Sequence, residues 1–340
     1  MVTINDVARE AGVSKATVSY VLSGNPLISE KTAVKVRGAM KRLGYSVNHA
    51  ARSLSTARTN TIGIVTPARY GGFFSLSVGA YLYALSAAAR KYGYDTLLLA
   101  CDENADELLT AAQTRKIDGV VVLDVRNKDS RIETLVKTGL PGVLLGVPKD
   151  SRGIDCVDTD FDDAAKRLVN MLADAGHEEI IMVGWPQAVY DQGLNYATRF
   201  RDAALRAGKQ RSVNLRVVCS DDELLGSDQA IKQALGTFLD ATAMIIHNDA
   251  ALVSAQQVLH EIDVSVPEDL SVVSVVPDQM AIGMRIPYTS MSIDLSKVAE
   301  ETVSVLDCRI KKRTMKEKTV LVPAVLMDAG SIQAPEGGRT

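Results

Sequence analysis

The sequence predicts an α/β protein with an N-terminal three-helix headpiece followed by two doubly wound parallel-sheet lobes. Residues 1–46 contain three short amphipathic helical stretches that carry cap and turn signals. From Thr61 onward, short β-branched and aliphatic runs alternate with longer helical stretches, in two successive series. Apolar runs buried on both faces and separated by helices are typical of parallel sheets covered by helices.

The hydrophobic pattern also predicts where the strands and helices of each series lie. The first series holds strands near 62–65, 96–100, 119–123 and 142–145, with helices near 76–92, 105–115 and 131–138. The second holds strands near 180–183, 215–219, 244–246 and 270–276, with helices near 162–175, 195–207, 227–239 and 250–262. Two such series in tandem predict two similar lobes, with a ligand cleft at the carboxyl ends of their strands.

Charge is distributed unevenly along the 340 residues. The whole chain has a formal net charge of −3. Residues 1–60 hold nine lysines and arginines against three acids, a net charge of +6, whereas the rest holds 29 basic against 38 acidic residues, a net charge of −9. A basic head on an acidic body predicts nucleic-acid binding confined to one end.

Several classes of protein are not supported by the sequence. No long uncharged apolar run predicts a membrane span, and the helices begin too early for a signal peptide, so we expect a cytoplasmic protein. No nucleotide-binding, hydrolase or zinc-protease motif occurs, which argues against an enzyme and against a cofactor. The four histidines are dispersed, and the cysteines form no CxxC pair, so we expect no metal site and buried, inert thiols at Cys101, Cys156, Cys219 and Cys308.

The first two helices have the pattern of a helix-turn-helix. A helix over Asp6–Ala11, capped by Asn5 or Asp6, leads through Gly12 to Ser14. Ser14 is predicted to cap a second helix over Lys15–Leu22, the alternative being an ordinary helical hairpin.

The second helix predicts a DNA-reading surface. Val18, Val21 and Leu22 share one face by helical spacing and are expected to pack inward. The outward face is small, cationic and able to form hydrogen bonds, as the major groove requires. It consists of Lys15, Ala16, Ser19 and Tyr20.

A third helix and a short fourth one complete the N-terminal region. The third is expected over Glu30–Leu43, capped by Ser29 and ended by Gly44. Its predicted buried residues are Val34, Val36, Met40 and Leu43. Asn48 can cap a further helix through Ser55, too short to be stable alone in water. The alternative for that segment is a flexible linker.

The chain resembles the LacI/GalR family of bacterial transcription regulators. The matching residues near the start are Thr3-Ile4, Asp6–Ala8, Ala11–Ser14, Thr17–Ser19, and Val21-Leu22 with Gly24. Further matches are Asp118–Val120, Gly176-His177, Asn248-Asp249, Val266–Val273 and the Pro287-x-Thr289 turn. The resemblance implies a periplasmic-binding-protein-like core that senses an effector and dimerises, and a structural His177 held through the helix dipole and last carbonyls.

These features together predict four regions. Residues 1–46 form the DNA-binding headpiece, 47–60 the hinge helix and linker, and 61–330 the two-lobed effector-binding and dimerisation core. Residues 331–340 form a short flexible tail without the leucine heptads of a tetramerising coiled coil.

The resemblance and the groove chemistry assign DNA-contacting roles. Lys15 would donate to guanine, Ala16 would approach a thymine methyl and Tyr20 would offer a hydroxyl. By the resemblance, Leu54 is an apolar wedge in the minor groove, with Ala51 beside it. The predicted DNA-binding residues are Ile4, Asn5, Ser14, Lys15, Ala16, Thr17, Ser19, Tyr20, Ser29, Thr32, Asn48, His49, Ala51, Arg52 and Leu54.

The effector site departs from the family pattern. The family's sugar clamp implies an arginine where Tyr196 stands, a glycine where Arg199 stands and an aspartate where Val276 stands. Three alternatives follow: a different effector, for example a less polar one, a sugar held by other residues, or no small effector. The candidate effector-binding residues are Asp163, Trp185, Tyr196, Arg199, Asn248 and Asp249. Trp185 and Tyr196 could equally be core or rim residues, and Asp163 could simply favour a helix start.

The predicted function is that of a sequence-specific DNA-binding transcription regulator, with repression favoured. A homodimer would bind a palindromic double-stranded operator, and a small-molecule effector, a carbohydrate among the candidates, would bind in the cleft. The alternatives are a DNA-binding dimer without an effector, and a cytoplasmic sugar-binding protein or sugar-processing enzyme.

Overall fold

A computed structural model describes most of the chain. The described residues are 2–22, 27–45, 58–67, 76–101, 105–221, 224–277, 280, 287–312 and 316–335. The chain divides into two compact units, residues 1–59 and 60–340. The predicted hinge residues Asn48, His49, Ala51, Arg52 and Leu54 lie outside the described residues.

The headpiece has three helices, α1 (Ile4–Ala11), α2 (Lys15–Leu22) and α3 (Glu30–Leu43). The bounds of α2 and α3 agree with the predictions. Helix α1 begins two residues earlier than predicted, because Thr3 rather than Asn5 or Asp6 is its cap. The Thr3 hydroxyl accepts from the Asp6 N–H at 3.4 Å, and the Asp6 carboxylate accepts from the Thr3 N–H at 2.9 Å. This reciprocal pair is a capping box.

The headpiece core is small and mostly as predicted. Val18 and Val36 are fully buried, and Val21, Leu22, Met40 and Leu43 pack against them. Val34 was expected inside and is 58% exposed, so that prediction is wrong. The buried stripe of α3 instead follows Ala33, Val36 and Ala39, at the i, i+3 spacing that keeps side chains on one face.

The first lobe is a six-stranded sheet in which every pairing is parallel. Its strand order is β11-β5-β4-β3-β1-β2. The strands are β1 (Thr61–Pro67), β2 (Asp95–Cys101), β3 (Gly119–Val122), β4 (Gly142–Leu145), β5 (Asp155–Thr159) and β11 (Thr319–Val322). Its helices are α4 (Leu76–Lys91), α5 (Asp106–Gln113), α6 (Ser130–Thr138) and α12 (Leu295–Ile310).

The second lobe is a six-stranded sheet with one antiparallel edge strand. Its order is β12-β10-β9-β8-β6-β7, and only the β12–β10 pairing is antiparallel. The strands are β6 (Glu179–Gly184), β7 (Asn214–Cys219), β8 (Ala243–Ile246), β9 (Ser271–Pro277), β10 (Thr289–Ile293) and β12 (Val325–Met327). Its helices are α7 (Phe161–Asp174), α8 (Gln187–Asp191), α9 (Asn195–Gln210), α10 (Leu224–Thr237) and α11 (Asp249–Glu261).

The two lobes are interleaved in sequence, not arranged in tandem as predicted. The chain leaves the first lobe after β5, returns to it at α12 and β11, and ends in the second lobe with β12. Three polar contacts tie α12 to the first lobe: Lys91 to Glu300, the Tyr94 hydroxyl to Asp307, and Arg309 to Asp155.

Strands β5 and β10 were missed because their sequences are too polar to suggest a buried strand. Asp155 is only 1% exposed, and Arg309 and the Lys318 N–H satisfy its carboxylate. In β10, the Thr289 hydroxyl donates to Asp328 at 3.1 Å. Helix α12 was missed although its buried residues Leu295, Val303 and Leu306 follow a helical spacing.

His177 is structural, as predicted, but not through a helix dipole or carbonyls. Its Nδ1 lies 2.8 Å from the Thr242 hydroxyl and its Nε2 lies 2.9 Å from the Ser271 hydroxyl. The ring therefore joins the starts of β8 and β9. Burial lowers its pKa, which keeps the ring neutral.

The thiols are only partly as predicted. Cys101 and Cys156 are buried, whereas Cys219 and Cys308 are partly exposed, and none of the four forms a disulfide bond with a described residue. In the described part of the chain, no helix combines the length and apolarity needed to cross a membrane.

Gly184 is required by the packing of Tyr190 against the end of β6. A Cβ at Gly184 would overlap the Tyr190 hydroxyl, which accepts from the Trp185 N–H at 3.1 Å. We expect Gly184→Ala to lower the free energy of unfolding by about 1–3 kcal/mol, measured by urea denaturation.

A double-mutant cycle tests the cause of that loss. Without the hydroxyl, the nearest ring atom of residue 190 would lie 3.3 Å from the new Cβ, so Gly184→Ala should cost less in a Tyr190→Phe background. Gly236→Ala is the control, because no atom lies within 4 Å of its Cβ position. Additive costs of the two substitutions would contradict the steric explanation.

Candidate DNA-binding surface and ligand cleft

Helix α2 presents its predicted reading face to the surface of the headpiece. Lys15, Ala16, Ser19 and Tyr20 are exposed, while Val18 on the opposite face is fully buried. The Ser14 hydroxyl accepts from the Thr17 N–H at 3.0 Å and so caps α2, as predicted. The exposed side chains therefore project from a helix whose start and rotation are both fixed.

The other predicted headpiece residues lie at helix starts. The Ser29 hydroxyl caps α3 by accepting from the Thr32 N–H at 3.3 Å. Asn5 is exposed, whereas Ile4 is half-buried and packs against the headpiece core. The positive ends of helices attract phosphates, which suits Ser14 and Ser29 to backbone contacts.

The positive charge of the headpiece resides mainly on its lysines. Its three acids each bind an arginine: Asp6 binds Arg9, Glu10 binds Arg42 and Glu30 binds Arg37. Lys15 forms no ion pair with any described residue and is exposed. Its ammonium group is therefore available to an external acceptor.

The core unit contains a cleft between the carboxyl ends of its two sheets. It holds about 730 Å³ of non-protein space, part of it open to solvent. The first lobe lines it through α4 and the carboxyl ends of β3, β4 and β5. The second lobe lines it through the starts of α7 and α9, the residues that follow β6 and β8, and the carboxyl ends of β9 and β10. The described lining residues are Ser77, Val78, Tyr81, Leu123, Asp124, Leu145, Asp158, Phe161, Trp185, Tyr196, His247, Asn248, Asp249, Val275, Pro277 and Ile293.

Ser77 and Asp249 connect the two lobes across this cleft. The Ser77 N–H donates to Asp249 Oδ2 at 2.9 Å, and its hydroxyl donates to Oδ1 at 2.8 Å. Asp249 is the first residue of α11, and the preceding Asn248 caps that helix by accepting from the Ala251 N–H at 2.9 Å. The Asn248-Asp249 pair thus has both a structural and a bridging role.

A buried ion pair forms a second connection between the lobes. Arg199 on α9 lies 2.7 Å from Asp158 at the end of β5 and 2.8 Å from Asp162 on α7. Burial raises the pKa of Asp158 to about 7, although the Arg199 charge and the Thr159 N–H oppose that shift. The carboxyl group of Asp158 is therefore poorly compensated for its loss of solvent.

Aromatic side chains form the second-lobe wall of the cleft. The Trp185 and Tyr196 rings meet edge to face at 5.1 Å, and His247 lies 4.2 Å from Phe200 and 5.9 Å from Trp185 between ring centroids. Burial lowers the pKa of His247 to about 3, so the ring is neutral at physiological pH. Trp185 Nε1 and His247 Nδ1 are buried without a hydrogen-bond partner among the described residues.

The cleft brings together four of the six predicted effector-binding residues. Trp185, Tyr196, Asn248 and Asp249 line it. Arg199 lies behind Asp158 and does not line the cavity, and Asp163 is half-exposed near Arg167 at 3.7 Å. The Asp163 N–H donates to the Asp160 carboxylate, the N-cap of α7, at 3.0 Å, so Asp163 lies in the first turn of that helix.

Comparison with known proteins places this architecture in a family. The model of bacterial regulatory proteins of the lacI family matches residues 3–48, and the model of the periplasmic binding protein-like domain matches residues 169–332. The catabolite control protein A of Priestia megaterium is 27% identical over 329 residues, which are 95% of this chain and 96% of that protein. The chain belongs to the lacI family.

Full-length similarity supports this assignment. The ribose operon repressor of Escherichia coli strain K12 is 28% identical over 337 residues, 97% of this chain and all of that protein. The crystal structure of the lac repressor dimer bound to operator and the anti-inducer ONPF has the same fold, with a TM-score of 0.80 at 22% identity over 98% of this chain and 99% of that one. This lacI-family chain is a DNA-binding transcription regulator and not an enzyme.

The departures from the family's clamp pattern have clear structural consequences. Tyr196 places an aromatic ring on the cleft wall where the pattern has an arginine. Val276 is 1% exposed and packs in the apolar core of the second lobe instead of facing the cavity. The guanidinium of Arg199, one turn further along α9, lies outside the cavity wall, where it contacts Asp158, which lines the cavity, and Asp162, which does not.

Several cleft residues were not anticipated from the sequence. Asp124 and Asp158 follow or end strands of the first lobe, and Ser77, Tyr81 and His247 complete the polar lining. The rule that ligands bind at the carboxyl ends of strands could have found Asp124, which follows β3, and His247, which follows β8. Asp158 required β5, which the sequence did not reveal.

The raised pKa of Asp158 predicts a specific pH dependence of stability. Between about pH 4 and about pH 7 the folded state keeps a proton that the unfolded state releases, so stability from this group falls as pH rises. We expect the wild type to lose stability relative to Asp158→Asn between about pH 5 and about pH 8, measured by urea denaturation.

The comparison with Asp158→Asn is needed because the titration of His247 changes the stability of the wild type in the opposite direction. Its lowered pKa means that the unfolded state binds the proton first, so stability from this group falls as pH decreases below about 6.5. The wild type should therefore gain stability relative to His247→Gln as pH rises toward about 6.5. For Asp158, a difference in the free energy of unfolding between wild type and Asp158→Asn that is the same at about pH 5 and about pH 8 would contradict the raised pKa.

Proposed function

We propose that this regulator binds a palindromic operator as a homodimer, represses transcription and changes its operator affinity when a small molecule occupies the cleft. The supporting observation is the outward face of α2, on which Lys15, Ala16 and Tyr20 are exposed opposite a fully buried Val18. A fixed helix with exposed donors and small side chains suits a major groove. A regulator of this kind acts in the cytoplasm, where bacterial DNA is located.

The residue roles follow from the chemistry of DNA. Lys15 donates to guanine O6 and N7, Ala16 permits contact with a thymine methyl, and the Tyr20 hydroxyl reaches a base edge or phosphate. Ser14, Thr17, Ser29 and Thr32 contact the backbone and set the position of the headpiece. Residues 47–60 act as the hinge, with Leu54 as the minor-groove wedge, a role that rests on the family resemblance.

An exposed apolar surface on the first lobe suits a homodimer contact. Tyr83 on α4 is 79% exposed, and Leu98 on the edge strand β2 is 55% exposed. Exposed apolar side chains on a sheet edge and the adjacent helix are characteristic of protein contacts. The lac repressor structure of the same fold is a dimer on its operator, which agrees with this proposal.

The cleft supports effector control because both lobes contribute to it. The Ser77–Asp249 and Asp158–Arg199 contacts join the lobes beside the cleft. A ligand that binds one lobe arrangement better than another shifts the population toward that arrangement. The structure of the transcriptional regulator CelR in complex with cellobiose shares this fold, with a TM-score of 0.67, which supports control by a small molecule.

Selection of bound fragments from genomic DNA tests the proposed function. The full-length protein should enrich a short site with two-fold symmetry and half-sites about one helical turn apart or a multiple of it. Enrichment of sites without symmetry, or of DNA in general, would contradict the dimeric operator. The genes beside the selected sites would also suggest the chemistry of the effector.

The role of Lys15 can be tested on the selected operator. Lys15→Ala should cost about 1–3 kcal/mol of binding free energy and relax specificity at one base position of each half-site. Fluorescence anisotropy with operator variants measures both effects. Lys209→Ala, which removes an exposed lysine from α9, is the control and should leave operator binding unchanged. Equal weakening on all sequences would make Lys15 a phosphate contact instead.

A further inference from the structure

The first turn of α9 is a point of contact between the two lobes. The Asn195 N–H donates to the Val125 carbonyl at 3.0 Å, and the Asn127 side-chain amide donates to the Thr198 hydroxyl at 3.3 Å. Val125 and Asn127 follow β3 in the first lobe, whereas α9 belongs to the second lobe. The start of α9 is therefore held against the first lobe.

Arg199, at the end of this turn, adds a charged contact beside a crossing of the chain. Its guanidinium lies 2.7 Å from Asp158, the next-to-last residue of β5, and 2.8 Å from Asp162 in the first turn of α7. Between these two carboxylates the chain passes from the first lobe to the second. One planar, rigid guanidinium therefore holds an acid on each side of the crossing.

Among the described elements, the chain passes between the lobes three times: from β5 to α7, from β10 to α12 and from β11 to β12. The Asp160 N–H donates to the Val322 carbonyl at 2.9 Å, and the Arg167 guanidinium donates to the Ala324 carbonyl at 3.2 Å. These hydrogen bonds join the first crossing to the third. A change in lobe arrangement must bend the chain at the crossings, and Arg199 spans the first of them.

The contact between Arg199 and Asp158 is shielded from water. The two side chains are 16% and 6% exposed, so solvent and salt screen their attraction only weakly. A movement of the lobes that separated them would leave a buried carboxylate without its cation, which is unfavourable. The ion pair therefore favours the lobe arrangement in which the two groups meet.

Other ion pairs between α7 and α9 do not depend on Arg199. Arg206 binds Asp162 at 2.9 Å, and Arg211 at the end of α9 binds Asp174 at 2.5 Å. Both pairs lie within the second lobe and keep the two helices together. The distinct contribution of Arg199 is its contact with β5 in the first lobe.

The same turn of α9 also forms part of the cleft wall. Tyr196 precedes Arg199 by three residues, lines the cavity and meets the Trp185 ring edge to face at 5.1 Å between centroids. Asp158 lines the cavity as well. A ligand that displaces Tyr196 or Asp158 therefore acts on the helical turn or on the carboxylate that the lobe contact uses.

We propose that Arg199 is a positioning residue that holds the lobes in the arrangement of this structure, by binding Asp158 and Asp162 on either side of the first crossing. The inference rests on the proposed function, since effector control would act on these ion pairs through the cleft residues beside them. The glycine that the family pattern implies at this position could form neither ion pair, so the two contacts are a departure from that pattern.

The fluorescence of Trp185 reports on the arrangement of the lobes. Trp185 is the single tryptophan of the chain, lies on the second-lobe wall of the cleft and is 8% exposed. Acrylamide quenching of its fluorescence in the full-length protein should therefore rise when the lobes separate. At about pH 8, where the Asp158 carboxyl is mostly ionised, Arg199→Gln should raise the quenching constant at least about twofold over that of the wild type.

Loss of the first-lobe partner should act in the same direction. Asp158→Asn leaves the contacts between α7 and α9 in place but removes the charge that Arg199 binds in the first lobe, so it should also raise the quenching constant. The double variant should exceed Arg199→Gln by little, because both substitutions remove the same contact. Urea denaturation shows whether each variant is folded. If Arg199→Gln does not fold, Asp158→Asn alone decides the outcome.

Arg211→Gln is the matched control, because it removes an ion pair between the same two helices that does not reach the first lobe. It should leave the quenching constant at the wild-type value. A quenching constant that is unchanged in either folded variant, Arg199→Gln or Asp158→Asn, would overturn the positioning role. An equal increase in Arg211→Gln would also overturn it, because the effect would then come from the packing of α7 on α9.

Fluorescence anisotropy with the selected operator separates this inference from the proposed function. If quenching rises in both variants and operator affinity changes by at least about threefold, both stand. If quenching rises while operator affinity stays that of the wild type, Arg199 positions the lobes, but the lobes do not control operator binding and effector control fails. If quenching is unchanged, the positioning role fails whatever the operator affinity, and the proposed function is unaffected.

Discussion

The crossing of the chain between two parallel sheets is the constraint on which the cleft depends. Strand β5 completes the first sheet before the chain enters the second at α7, and the chain returns through α12 and β11 before ending in β12. Both sheets consequently direct their carboxyl ends at the same space. Loops after β3 and β8 and the ends of β5 and β9 then supply the lining, in agreement with the general rule for open α/β sheets.

The same crossings place lobe-bridging contacts around the cleft. Besides Ser77–Asp249 and Asp158–Arg199, the Asn127 N–H donates to the Gly193 carbonyl at 2.8 Å and the Asn195 N–H donates to the Val125 carbonyl at 3.0 Å. The last two are hydrogen bonds between main-chain groups. The first two use side chains that line or adjoin the cavity, so we expect a ligand in the cavity to compete with them.

The parts of the fold that were predictable are those in which local pattern and tertiary role agree. Helices α2 and α3 have serine caps, glycine ends or turns, and apolar stripes that all indicate the same bounds. The predicted burial of Val34 was wrong because apolar character alone does not place a residue on the buried face of a helix. Strands β5 and β10 were not predicted because the partners of their buried polar groups, Arg309 and Asp328, lie far away in sequence.

The cleft was predictable in location but not in electrostatics. Trp185, Tyr196, Asn248 and Asp249 could be chosen from resemblance and position, whereas Asp158 and Arg199 acquire their roles only by meeting across the lobes. Tyr196 places an aromatic ring on the wall where the family pattern has an arginine, and Arg199 does not take that position, because Asp158 and Asp162 hold it outside the cavity. The cleft wall therefore keeps the Asn248-Asp249 pair of the family pattern but presents an aromatic ring where that pattern has a fixed positive charge.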